Sequence, residues 1–346
     1  MKACLLRGAL DLQLSDLPDP EPGPKQAVVR LGAGGICGSD LHYFSSGGNG
    51  DFMLREPLVL GHEVAGEVVA VGREVLAVRP GDRVAVNPNH PCGHCRKCTA
   101  GRRNLCQNVL FYGSAARFPH VQGAFAEFFV ANEENCYVVP KEIPYRVAAC
   151  AEPLAVALHA LGQAGSVEGK SVFIAGSGPI GVLLCAAARL RGASRICTSD
   201  LLEEPLAIAR SMGATEGINV SDQPGGIEEL AAGRGIFEVA LEASGHPSGL
   251  AAALTLVEPG GIVVQVGNLP RGLTPAPLGK LVAKELRLAG SFRFDGEYAG
   301  AVDALVTGQI NPAPMLTHEF TFADLIPAFT TAVDKRVAMK VSLRPS

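Results

Sequence analysis

The chain of 346 residues contains no tryptophan, and aromatic residues make up only 5% of it. This leaves little material for the aromatic platforms on which the bases of single-stranded nucleic acids stack. Basic residues are also in the minority, because 30 lysines and arginines face 34 acidic residues and give a formal net charge of −4. Since binding to phosphate backbones requires a basic field, we expect no nucleic-acid partner.

Long uninterrupted apolar runs are missing too. The N-terminal stretch MKACLLRGALDLQL contains none, so no signal peptide is predicted. Residues 171–188 carry no charge, but Gly176, Gly178, Pro179 and Gly181 break the run, which favours a strand–turn–helix unit over a membrane span. With 47% hydrophobic and 18% charged residues, the chain has the composition of a globular protein long enough for two domains.

Four of the ten cysteines, in contrast, are concentrated in the run PCGHCRKCTAGRRNLC, and they are Cys92, Cys95, Cys98 and Cys106. Four thiolates this close can surround one Zn²⁺ at about 2.3 Å. The alternatives are four buried thiols or two disulfides, and spacings of two residues make paired disulfides awkward. A four-thiolate site has no open position for water, so we predict a structural zinc ion. Thiolates persist in a reducing compartment, which favours a cytoplasmic location.

Strand and helix patterns divide the chain into two kinds of region. Up to about residue 150, short β-branched runs separated by Pro- and Gly-containing turns predict an irregular β region. From 153 to 290, strands alternate with helices, which predicts an α/β fold with a doubly wound parallel sheet. The predicted elements are strands at Ser171–Ala175, Arg195–Ser199, Phe237–Glu242 and Gly261–Val266, and helices at Gly178–Leu190, Glu203–Met212 and Pro247–Leu256. We expect residues 291–346, which are mixed again, to rejoin the first region.

The turn after the first strand of this second region fits the motif G-x-G-x-x-G, and it reads Gly176-Ser177-Gly178-Pro179-Ile180-Gly181. The first glycine permits the tight turn, the second lets the backbone approach a pyrophosphate, and the third allows close packing of helix against strand. The N-terminus of the helix offers free N–H groups and a positive dipole end to the phosphates. The motif in this context predicts dinucleotide binding.

An acidic residue stands where such sites bind the ribose. Asp200 closes the second predicted strand, nineteen positions beyond Gly181, where its carboxylate would accept both ribose hydroxyls. A helix N-cap is the alternative role of Asp200, and the two roles can coexist. Because Arg210 is the first cation after it, a 2′-phosphate would meet a like charge without a partner, and NAD is favoured over NADP.

A second set of metal-ligand residue types is scattered through the first region. Cys37 lies in GGICGSDLHYF, His62 and Glu63 lie in GHE, and Glu152 lies in AEPL. Taken singly, Cys37 could also be a small buried hydrophobic residue, and His62 could be a hydrogen-bonded histidine of the core. Ligands this far apart are not evidence of a site by their spacing alone.

Taken in order, GGICGSDLH, GHE, the four-cysteine run, AEPL and GSGPIG resemble the zinc-containing medium-chain dehydrogenases. Within that family the chain is most similar to the polyol branch of sorbitol, xylitol and L-idonate 5-dehydrogenases. The longer stretches NPNHPCGHCRKC, FYGSAARFPHVQGAF, GSFRF and INPAPML resemble the L-idonate enzymes. The resemblance implies a GroES-like irregular β catalytic domain at 1–152 and 291–346, with a structural-zinc lobe at 87–110, and a Rossmann NAD-binding domain at 153–290.

The resemblance also implies two zinc ions per chain, with the catalytic one held by Cys37, His62, Glu63 and Glu152. Glu152 stands where alcohol dehydrogenases have a cysteine, and which of the two glutamates is the direct ligand in the resting enzyme is left open. A zinc ion lowers the pKa of a secondary hydroxyl, and hydride then passes from that carbon to the nicotinamide. Ser39 and His42 are implied to relay the proton, with turn capping as their alternative role.

The resemblance places Tyr43, Phe111, Arg293 and Phe294, together with Glu152, in the substrate pocket. It places Val266, Gly267 and Asn268 beside the nicotinamide. Arg293 could form a bidentate pair with a sugar-acid carboxylate. Sorbitol dehydrogenases carry an arginine there too, and a surface or interdomain salt bridge is the alternative role of Arg293.

The resemblance thus implies zinc-dependent oxidation of a secondary alcohol to a ketone with NAD. The favoured reaction is L-idonate to 5-keto-D-gluconate, and the alternative is a sorbitol- or xylitol-type polyol dehydrogenase. The expected partner is a small polyol or aldonate, and the expected assembly is a homo-oligomer of two or four chains without membrane contact. Two other classes stay open: a zinc-ribbon nucleic-acid module and a catalytically silent relative.

Overall fold

Short strands and few helices make up the first part of the chain in the structure, a computed structural model that describes residues 1–223, 225–231 and 233–346. In chain order its elements are β1 (Lys2–Gly8), β2 (Asp11–Asp16), β3 (Gln26–Gly35), α1 (Gly38–Ser46), β4 (Gly48–Asn49), β5 (Phe52–Met53), β6 (Leu58–Val59), β7 (Glu63–Val71), β8 (Arg83–Val86), β9 (Asn89–His90), α2 (Arg96–Thr99), β10 (Leu110–Phe111), β11 (Phe128–Asn132), β12 (Cys136–Val138), α3 (Tyr145–Ala148) and α4 (Ala151–Ala164). Short 3₁₀ helices lie at Arg103–Leu105 and Glu133–Asn135.

Strands and helices then alternate until the chain returns to the first region. The elements are β13 (Ser171–Ala175), α5 (Pro179–Leu190), β14 (Arg195–Asp200), α6 (Glu203–Ser211), β15 (Glu216–Asn219), α7 (Gly226–Ala231), β16 (Phe237–Glu242), α8 (Pro247–Leu256), β17 (Val257–Gln265), α9 (Gly279–Ala283), β18 (Arg287–Gly290), α10 (Glu297–Val306), β19 (Leu316–Thr321), α11 (Leu325–Val333) and β20 (Lys340–Arg344). Further 3₁₀ helices lie at Ala313–Met315 and Phe322–Asp324.

A mixed seven-stranded sheet supports the first region. Its order is β12-β8-β7-β3-β20-β19, and β11 also pairs with β3. Strands β3 and β7 are antiparallel, and Gly35 stands opposite Glu63. Strand β20 pairs with β3 at Ser342 and Gly35, so the C-terminal strands lie in the sheet of the first region. This agrees with the expected return of residues 291–346, while the domain boundaries themselves stay a prediction.

A parallel six-stranded sheet forms the second region. Its order is β15-β14-β13-β16-β17-β18, and the order reverses between β13 and β16. Its central strands are apolar runs because helices cover both faces. The predicted elements are confirmed with small shifts: α5 begins at Pro179 with Gly178 as its N-cap, and the strand expected at Gly261–Val266 is the second half of β17.

Helix α4 joins the two regions and is buried between them. It packs against α5 and α10 and against strands of both sheets, β7 and β16. The helical run Tyr145–Ala164, which contains α3 and α4, is long and apolar enough by length and composition to cross a membrane. Of its most apolar window, 78% is buried inside the protein, as is typical of a core helix.

Candidate active site and metal centres

The four cysteines of the predicted structural zinc site converge between β9 and β10. Cys95 Sγ lies 3.6 Å from Cys98 Sγ and 3.8 Å from Cys106 Sγ. Cys106 Sγ lies 3.5 Å from Cys92 Sγ. A tetrahedron with zinc–sulfur bonds of about 2.3 Å has edges of about 3.8 Å, so these sulfur atoms fit a zinc ion. All ten cysteines of the protein have free thiols, which excludes the disulfide alternative in this structure.

Backbone N–H groups surround these sulfur atoms. Cys92 N and Asn108 N each donate to Cys106 Sγ at 3.3 Å. Backbone hydrogen bonds, that of Cys98 first among them, lower the pKa of the Cys95 thiol to about 6. Such donors stabilise thiolates, the form of cysteine that binds zinc. The backbone therefore favours the thiolate form of Cys95, whereas burial raises the pKa of the Cys98 thiol to about 12.

Cys37, His62 and Glu63 come together where β3, α1 and β7 meet. One ligand atom from each residue lies within 4.8 Å of the others. Cys37 is the N-cap of α1, and His62 directly precedes Glu63, the first residue of β7. His62 and Glu63 are buried, whereas Cys37 is half-buried. A thiolate, an imidazole and a carboxylate are the donor types of catalytic zinc sites, so the residues fit the ion.

Glu152 lies in the first turn of α4 and is buried, with 4% of its surface exposed. Burial raises the pKa of its carboxyl to about 8, His62 opposes this shift, and Glu63 adds to it. In the described part of the chain, Glu152 is not in the group of ligand atoms within 4.8 Å of one another. The structure thus brings three of the four expected ligands together and places Glu152 within reach of their charges.

Asp40 is a buried carboxylate beside this cluster that the sequence motifs did not single out. Its Oδ2 accepts from Cys37 N at 3.0 Å, and its Oδ1 accepts from Gly61 N at 3.3 Å and lies 3.7 Å from His62 Nδ1. His62 Nδ1 has no hydrogen-bond partner among the described residues, so at 3.7 Å Asp40 acts on this histidine through its charge. The sequence signal that could have identified Asp40 is its position three residues after the N-cap residue Cys37, because an acidic side chain there can accept a hydrogen bond from the N-cap backbone.

Lys340, the first residue of β20, is a second residue that the sequence motifs missed. Its Nζ donates to both carboxylate oxygens of Glu63, at 2.8 and 2.7 Å, and to Ile36 O at 3.2 Å. Burial alone lowers the pKa of Lys340, but the charge and hydrogen bond of Glu63 raise it above its ordinary value. Gly35 makes room for this pair, since a Cβ there would lie 2.2 Å from Glu63 Oε2.

The residues predicted to relay a proton lie on α1. Ser39 is half-buried and His42 is exposed. Burial raises the pKa of the Cys37 thiol to about 12, and a hydrogen bond from the Ser39 side chain opposes this shift. The capping role considered for Ser39 and His42 belongs to Asp40, which accepts from the N–H of the N-cap residue. The relay roles stay a prediction.

Phe111 connects Arg293 with the group of Cys37, His62 and Glu63, which we call the metal-ligand cluster. The ring centroids of Phe111 and His62 lie 5.5 Å apart, and the guanidinium carbon of Arg293 lies 4.0 Å from the Phe111 centroid. Burial lowers the pKa of Arg293 to about 10, and Glu152 opposes this shift. Among the described residues, Arg293 Nη1 is buried without a hydrogen-bond partner. The salt bridge considered for Arg293 is not among the ion pairs of the described residues.

The two other residues predicted for the substrate are more deeply buried. Tyr43 is 2% exposed, and its hydroxyl accepts from Ala115 N at 3.0 Å. Phe294 is fully buried and packs against Tyr298, with ring centroids 5.7 Å apart. Their contact with a substrate stays a prediction.

The glycine motif lies between β13 and α5. Gly176 has a φ of 95°, Gly178 is the N-cap of α5, and Gly181 lies in the first turn after Pro179 and Ile180. A Cβ on Gly181 would lie 1.9 Å from the Gly176 carbonyl oxygen, so the helix packs this closely only with glycine. A Cβ on Gly178 would meet nothing within 4 Å. Open space at a helix N-terminus is what a pyrophosphate needs, so the residues fit a dinucleotide.

Asp200 ends β14 next to this turn. Its Oδ2 accepts from Ser177 N at 2.8 Å, and its Oδ1 accepts from Leu201 N at 2.7 Å and Leu202 N at 3.2 Å. The N-cap of α6 is Leu202, so the capping alternative does not describe Asp200. A carboxylate has lone pairs left after these bonds, and Asp200 stands at the position from which a ribose is bound.

The stretch Val266–Asn268 follows β17 at the same edge of the sheet. Gly267 N donates to Glu242 O, at the end of β16, at 2.8 Å. The Glu242 carboxylate is fully buried and accepts from Ser244 N at 2.8 Å and Gly245 N at 3.0 Å. Glu242, which sequence reasoning also missed, therefore joins the two loops that follow β16 and β17.

The metal-ligand cluster lies next to the carboxyl edge of the parallel sheet. Ser291, just after β18, donates from its backbone N to Gln265 O at 2.9 Å, so the chain leaves the sheet at this edge. Two residues later Arg293 contacts Phe111, which contacts His62. Dinucleotides bind at this edge in doubly wound sheets, where the strand order reverses. The two kinds of site are therefore neighbours.

Comparison with known families agrees with this geometry. Residues 23–141 match the family described as the alcohol dehydrogenase GroES-like domain, and residues 179–307 match the family described as zinc-binding dehydrogenase. The chain therefore belongs to the zinc-binding medium-chain dehydrogenases, and the predicted GroES-like and Rossmann fold is confirmed. The protein is an oxidoreductase with zinc and a nicotinamide dinucleotide as its cofactors.

The relatives include enzymes of sugar acids and polyols. L-idonate 5-dehydrogenase (NAD(P)(+)) of Escherichia coli strain K12 is 42% identical over 316 residues, 91% of either chain. Sorbitol dehydrogenase of Bacillus subtilis strain 168 is 33% identical and covers 100% of this chain and 98% of its own. The crystal structure of L-idonate 5-dehydrogenase from Escherichia coli K-12 superimposes with a TM-score of 0.94 at 39% identity, over 99% of this chain and 97% of the other.

Proposed function

We propose that the protein oxidises a secondary alcohol of a sugar acid to a ketone and transfers the hydride to NAD. The proposed substrate is L-idonate and the proposed product is 5-keto-D-gluconate. The similarity to L-idonate 5-dehydrogenase carries the sugar-acid assignment. The Arg293 guanidinium is compatible with it, because it is buried, has an unpartnered Nη1 among the described residues and lies over Phe111 beside His62. A buried cation with a free N–H group favours an anionic ligand, and guanidinium and carboxylate form bidentate pairs.

In the proposed metal site, Glu152 and Glu63 have different roles. When bound, zinc supplies the Lewis acidity that lowers the pKa of the substrate hydroxyl. We assign Cys37 and His62 as ligands and Glu152 as a ligand directly or through water, exchanging with Glu63. The pairing of Glu63 with Lys340 supports this division, because Glu63 already has a cation at 2.7 Å. Glu152 makes no such ion pair in the described part of the chain, and a metal ion would favour the ionised form of its carboxyl.

The proposed proton path runs along α1. Ser39 would accept the proton that the substrate hydroxyl loses, and His42 would deliver it to solvent. The half-buried position of Ser39 and the exposed position of His42 support this direction from the site to solvent. A histidine is suited to the last step, because its ordinary pKa lies near neutral pH.

NAD is the proposed cofactor in preference to NADP. The Asp200 carboxylate, held by Ser177 and Leu201, would accept ribose hydroxyls and repel a 2′-phosphate. Steady-state kcat/KM with each cofactor tests this proposal. We expect Asp200→Ser to weaken NAD⁺ use and to improve NADP⁺ use, and higher kcat/KM of the wild type with NADP⁺ would contradict it.

The substrate proposal is tested by kcat/KM for L-idonate, sorbitol and xylitol with NAD⁺. We expect L-idonate to have the highest value. Arg293→Met should lower the value for L-idonate by about 10- to 100-fold, the effect of a lost charged hydrogen bond, and change that for sorbitol little. Arg7→Met, at an exposed arginine of β1, is the matched control and should change neither value.

A polyol dehydrogenase is the second candidate function. It is favoured by the sorbitol dehydrogenase of Bacillus subtilis, which aligns with the whole chain. In that case the guanidinium of Arg293 would donate to a neutral hydroxyl oxygen. Sorbitol or xylitol would then have the highest kcat/KM, and Arg293→Met would affect acidic and neutral substrates alike.

We further propose a homo-oligomer in a cytoplasmic location. Strand β18 lies at the edge of the parallel sheet, where a second copy can extend the sheet. Apolar side chains near this edge are exposed, and they are Leu273, Leu278, Val282 and Leu288. The free thiols of all ten cysteines support a reducing compartment.

A further inference from the structure

Arg293 holds a backbone conformation that is unfavourable for residues other than glycine. Its φ is 53°, in the left-handed region. It lies in residues 291–295, between β18 and α10, which we call the Arg293 segment. A residue stays in this conformation only where its surroundings fix it. The conformation matters because the Arg293 guanidinium lies over Phe111 beside the metal-ligand cluster.

The structural-zinc lobe supplies hydrogen bonds on both sides of Arg293. Asn104 Nδ2 donates to Phe292 O at 2.9 Å. Arg103 N and Nε donate to Asp295 Oδ2 and Oδ1 at 2.9 and 2.8 Å. Both donors belong to the 3₁₀ helix that directly precedes Cys106. Asn104 lies 188 positions before Phe292 in the chain, and Arg103 lies 192 positions before Asp295. The residues that flank Arg293 and Phe294 are therefore fixed by the lobe.

Asn104 is itself held in place from α4. It is 6% exposed, and its Nδ2 also lies 3.3 Å from His159 Nε2. His159 Nδ1 lies 2.9 Å from Glu297 Oε1, so a neutral His159 donates from Nδ1 and accepts at Nε2. Glu297 Oε2 accepts from Asp295 N at 2.7 Å, which closes the network on the Arg293 segment. The amide of Asn104 cannot rotate without breaking these bonds.

We propose that Asn104 and Arg103 are positioning residues that hold Arg293 in its left-handed conformation, so that the structural-zinc lobe sets the affinity for the carboxylate of the substrate. The substrate group in this inference rests on the proposed function, whereas the conformation of Arg293 can be observed without any substrate. The lobe then contributes to substrate selection as well as to stability.

The kinetic test compares variants of the zinc-loaded enzyme. We expect Asn104→Ala to raise KM for L-idonate by about tenfold, which is the effect of a weakened charged hydrogen bond. The kcat for L-idonate, the KM for sorbitol and the KM for NAD⁺ should change little. Arg103→Ala should act in the same direction with a smaller effect, because its backbone N–H still bonds Asp295. Arg102→Ala is the matched control, since Arg102 is exposed and makes no side-chain hydrogen bond or ion pair in the described ranges.

A double-mutant cycle shows whether Asn104 acts by positioning Arg293 or by stabilising the structure in general. If Asn104 acts through Arg293, Asn104→Ala should add no further change of KM for L-idonate in an Arg293→Ala background. An equal loss on L-idonate and sorbitol, or the full loss of Asn104→Ala in the Arg293→Ala background, would show a merely structural role and overturn the proposal.

A structural test is independent of the substrate. Crystal structures of the wild type and of Asn104→Ala, each with two zinc ions per chain, should differ in the φ of Arg293, which we expect to leave the left-handed region in the variant. An unchanged φ would overturn the proposal. If the wild type does not oxidise L-idonate, the proposed function fails, but this comparison still decides the role of Asn104. Should Asn104→Ala not fold, Arg103→Ala takes its place in both tests.

Discussion

Lys340 stays charged in a buried position because Glu63 lies beside it. The two side chains are 3% and 2% exposed, and their charged atoms lie 2.7 Å apart. Burying two charges costs free energy that only close pairing and further hydrogen bonds offset. Ile36 O provides such a bond to Lys340 at 3.2 Å. The pair therefore gives Glu63 a cationic partner that the protein itself supplies, next to Cys37 and His62.

Removing the lysine should be costly for stability. We expect Lys340→Met to lower the free energy of unfolding by about 3–5 kcal/mol, because it leaves the Glu63 carboxylate buried without a partner. Urea unfolding of the zinc-loaded protein measures this change. Lys340→Arg keeps the charge and should lose less, and Lys340→Met with Glu63→Gln should recover most of the loss. A loss below about 1 kcal/mol for Lys340→Met would contradict the role of the pair.

Asp40 should affect the catalytic zinc ion without touching the structural one. Asp40→Asn removes the charge that lies 3.7 Å from His62 Nδ1. Loss of a hydrogen-bonded carboxylate partner typically weakens metal binding by about 10- to 100-fold, and we expect an effect at the lower end because this contact is longer than a hydrogen bond. Zinc content after dialysis against increasing chelator measures the effect, and we expect one of the two ions to leave at lower chelator concentration than in the wild type. Identical curves for variant and wild type would argue against this role.

At the scale of residues, sequence and structure agree on which side chains lie together where a motif keeps its members close. The cysteines of the lobe are an example, and so are His62 and Glu63. Lys340 could not be found this way, because 277 positions separate it from Glu63 and only the pairing of β20 with β3 brings them together. Asn104 was missed for the same reason, because its partner Phe292 lies 188 positions further along the chain. Glu242 was missed because a single carboxylate at the end of a buried strand adds nothing to the periodic pattern of that strand.

At the scale of elements, the turn between β13 and α5 separates packing from cofactor binding. Gly181→Ala should destabilise the protein by about 1–3 kcal/mol, because its Cβ would overlap the Gly176 carbonyl oxygen. Gly178→Ala should leave stability within about 0.5 kcal/mol, because its Cβ meets nothing within 4 Å. It should nevertheless weaken NADH binding by about tenfold, since the methyl group takes space beside the helix N-terminus.

Thermal unfolding and NADH fluorescence titration measure the two effects on the same preparations. The two variants are each other's control, because both exchange a glycine of one turn for alanine. Equal destabilisation by both, or unchanged NADH affinity in Gly178→Ala, would show that the turn does not divide its roles in this way.

The two zinc-binding elements should respond differently to loss of a thiolate. Cys37→Ser should abolish turnover and leave the fold intact, because its cluster is carried by the seven-stranded sheet. Cys98→Ser should cost several kcal/mol of stability, because the binding energy of a structural zinc ion is folding energy. Urea unfolding, zinc content and NAD⁺ reduction measure these outcomes. Equal stability losses, with activity surviving in Cys37→Ser, would reverse the assignment of the two sites.

Elements were predictable from sequence where their pattern is long. The helix α5 and the strands β13, β14 and β16 were predicted within one residue at each end. Two-residue strands such as β4 and β9 carry no pattern of their own. They form because the chain around them is held by the larger sheet and by the lobe, which is a property of tertiary structure.

At the scale of the whole molecule, the edge strand β18 of the parallel sheet should decide the assembly. We expect the wild type to sediment as a dimer or a tetramer. Leu288→Asp places a charge on β18, where the side chain is 44% exposed, and should shift the protein towards smaller species. Leu190→Asp, at a leucine of α5 that is 39% exposed, is the matched control and should not. Sedimentation velocity measures both, and a monomeric wild type would contradict the expectation.

The position of β20 has a consequence for biosynthesis. Lys340 lies 304 positions after Ile36, whose carbonyl it contacts, so a ribosome that makes about 5–20 residues per second needs about 15–60 s to cover that distance. During this time the end of β3 has no β20 to pair with, and the Glu63 carboxylate has no Lys340 beside it. The four cysteines between residues 92 and 106 leave the ribosome almost together. The lobe can therefore load its zinc ion on the nascent chain, whereas the cluster of Cys37, His62 and Glu63 gains Lys340 only after β20 has been made.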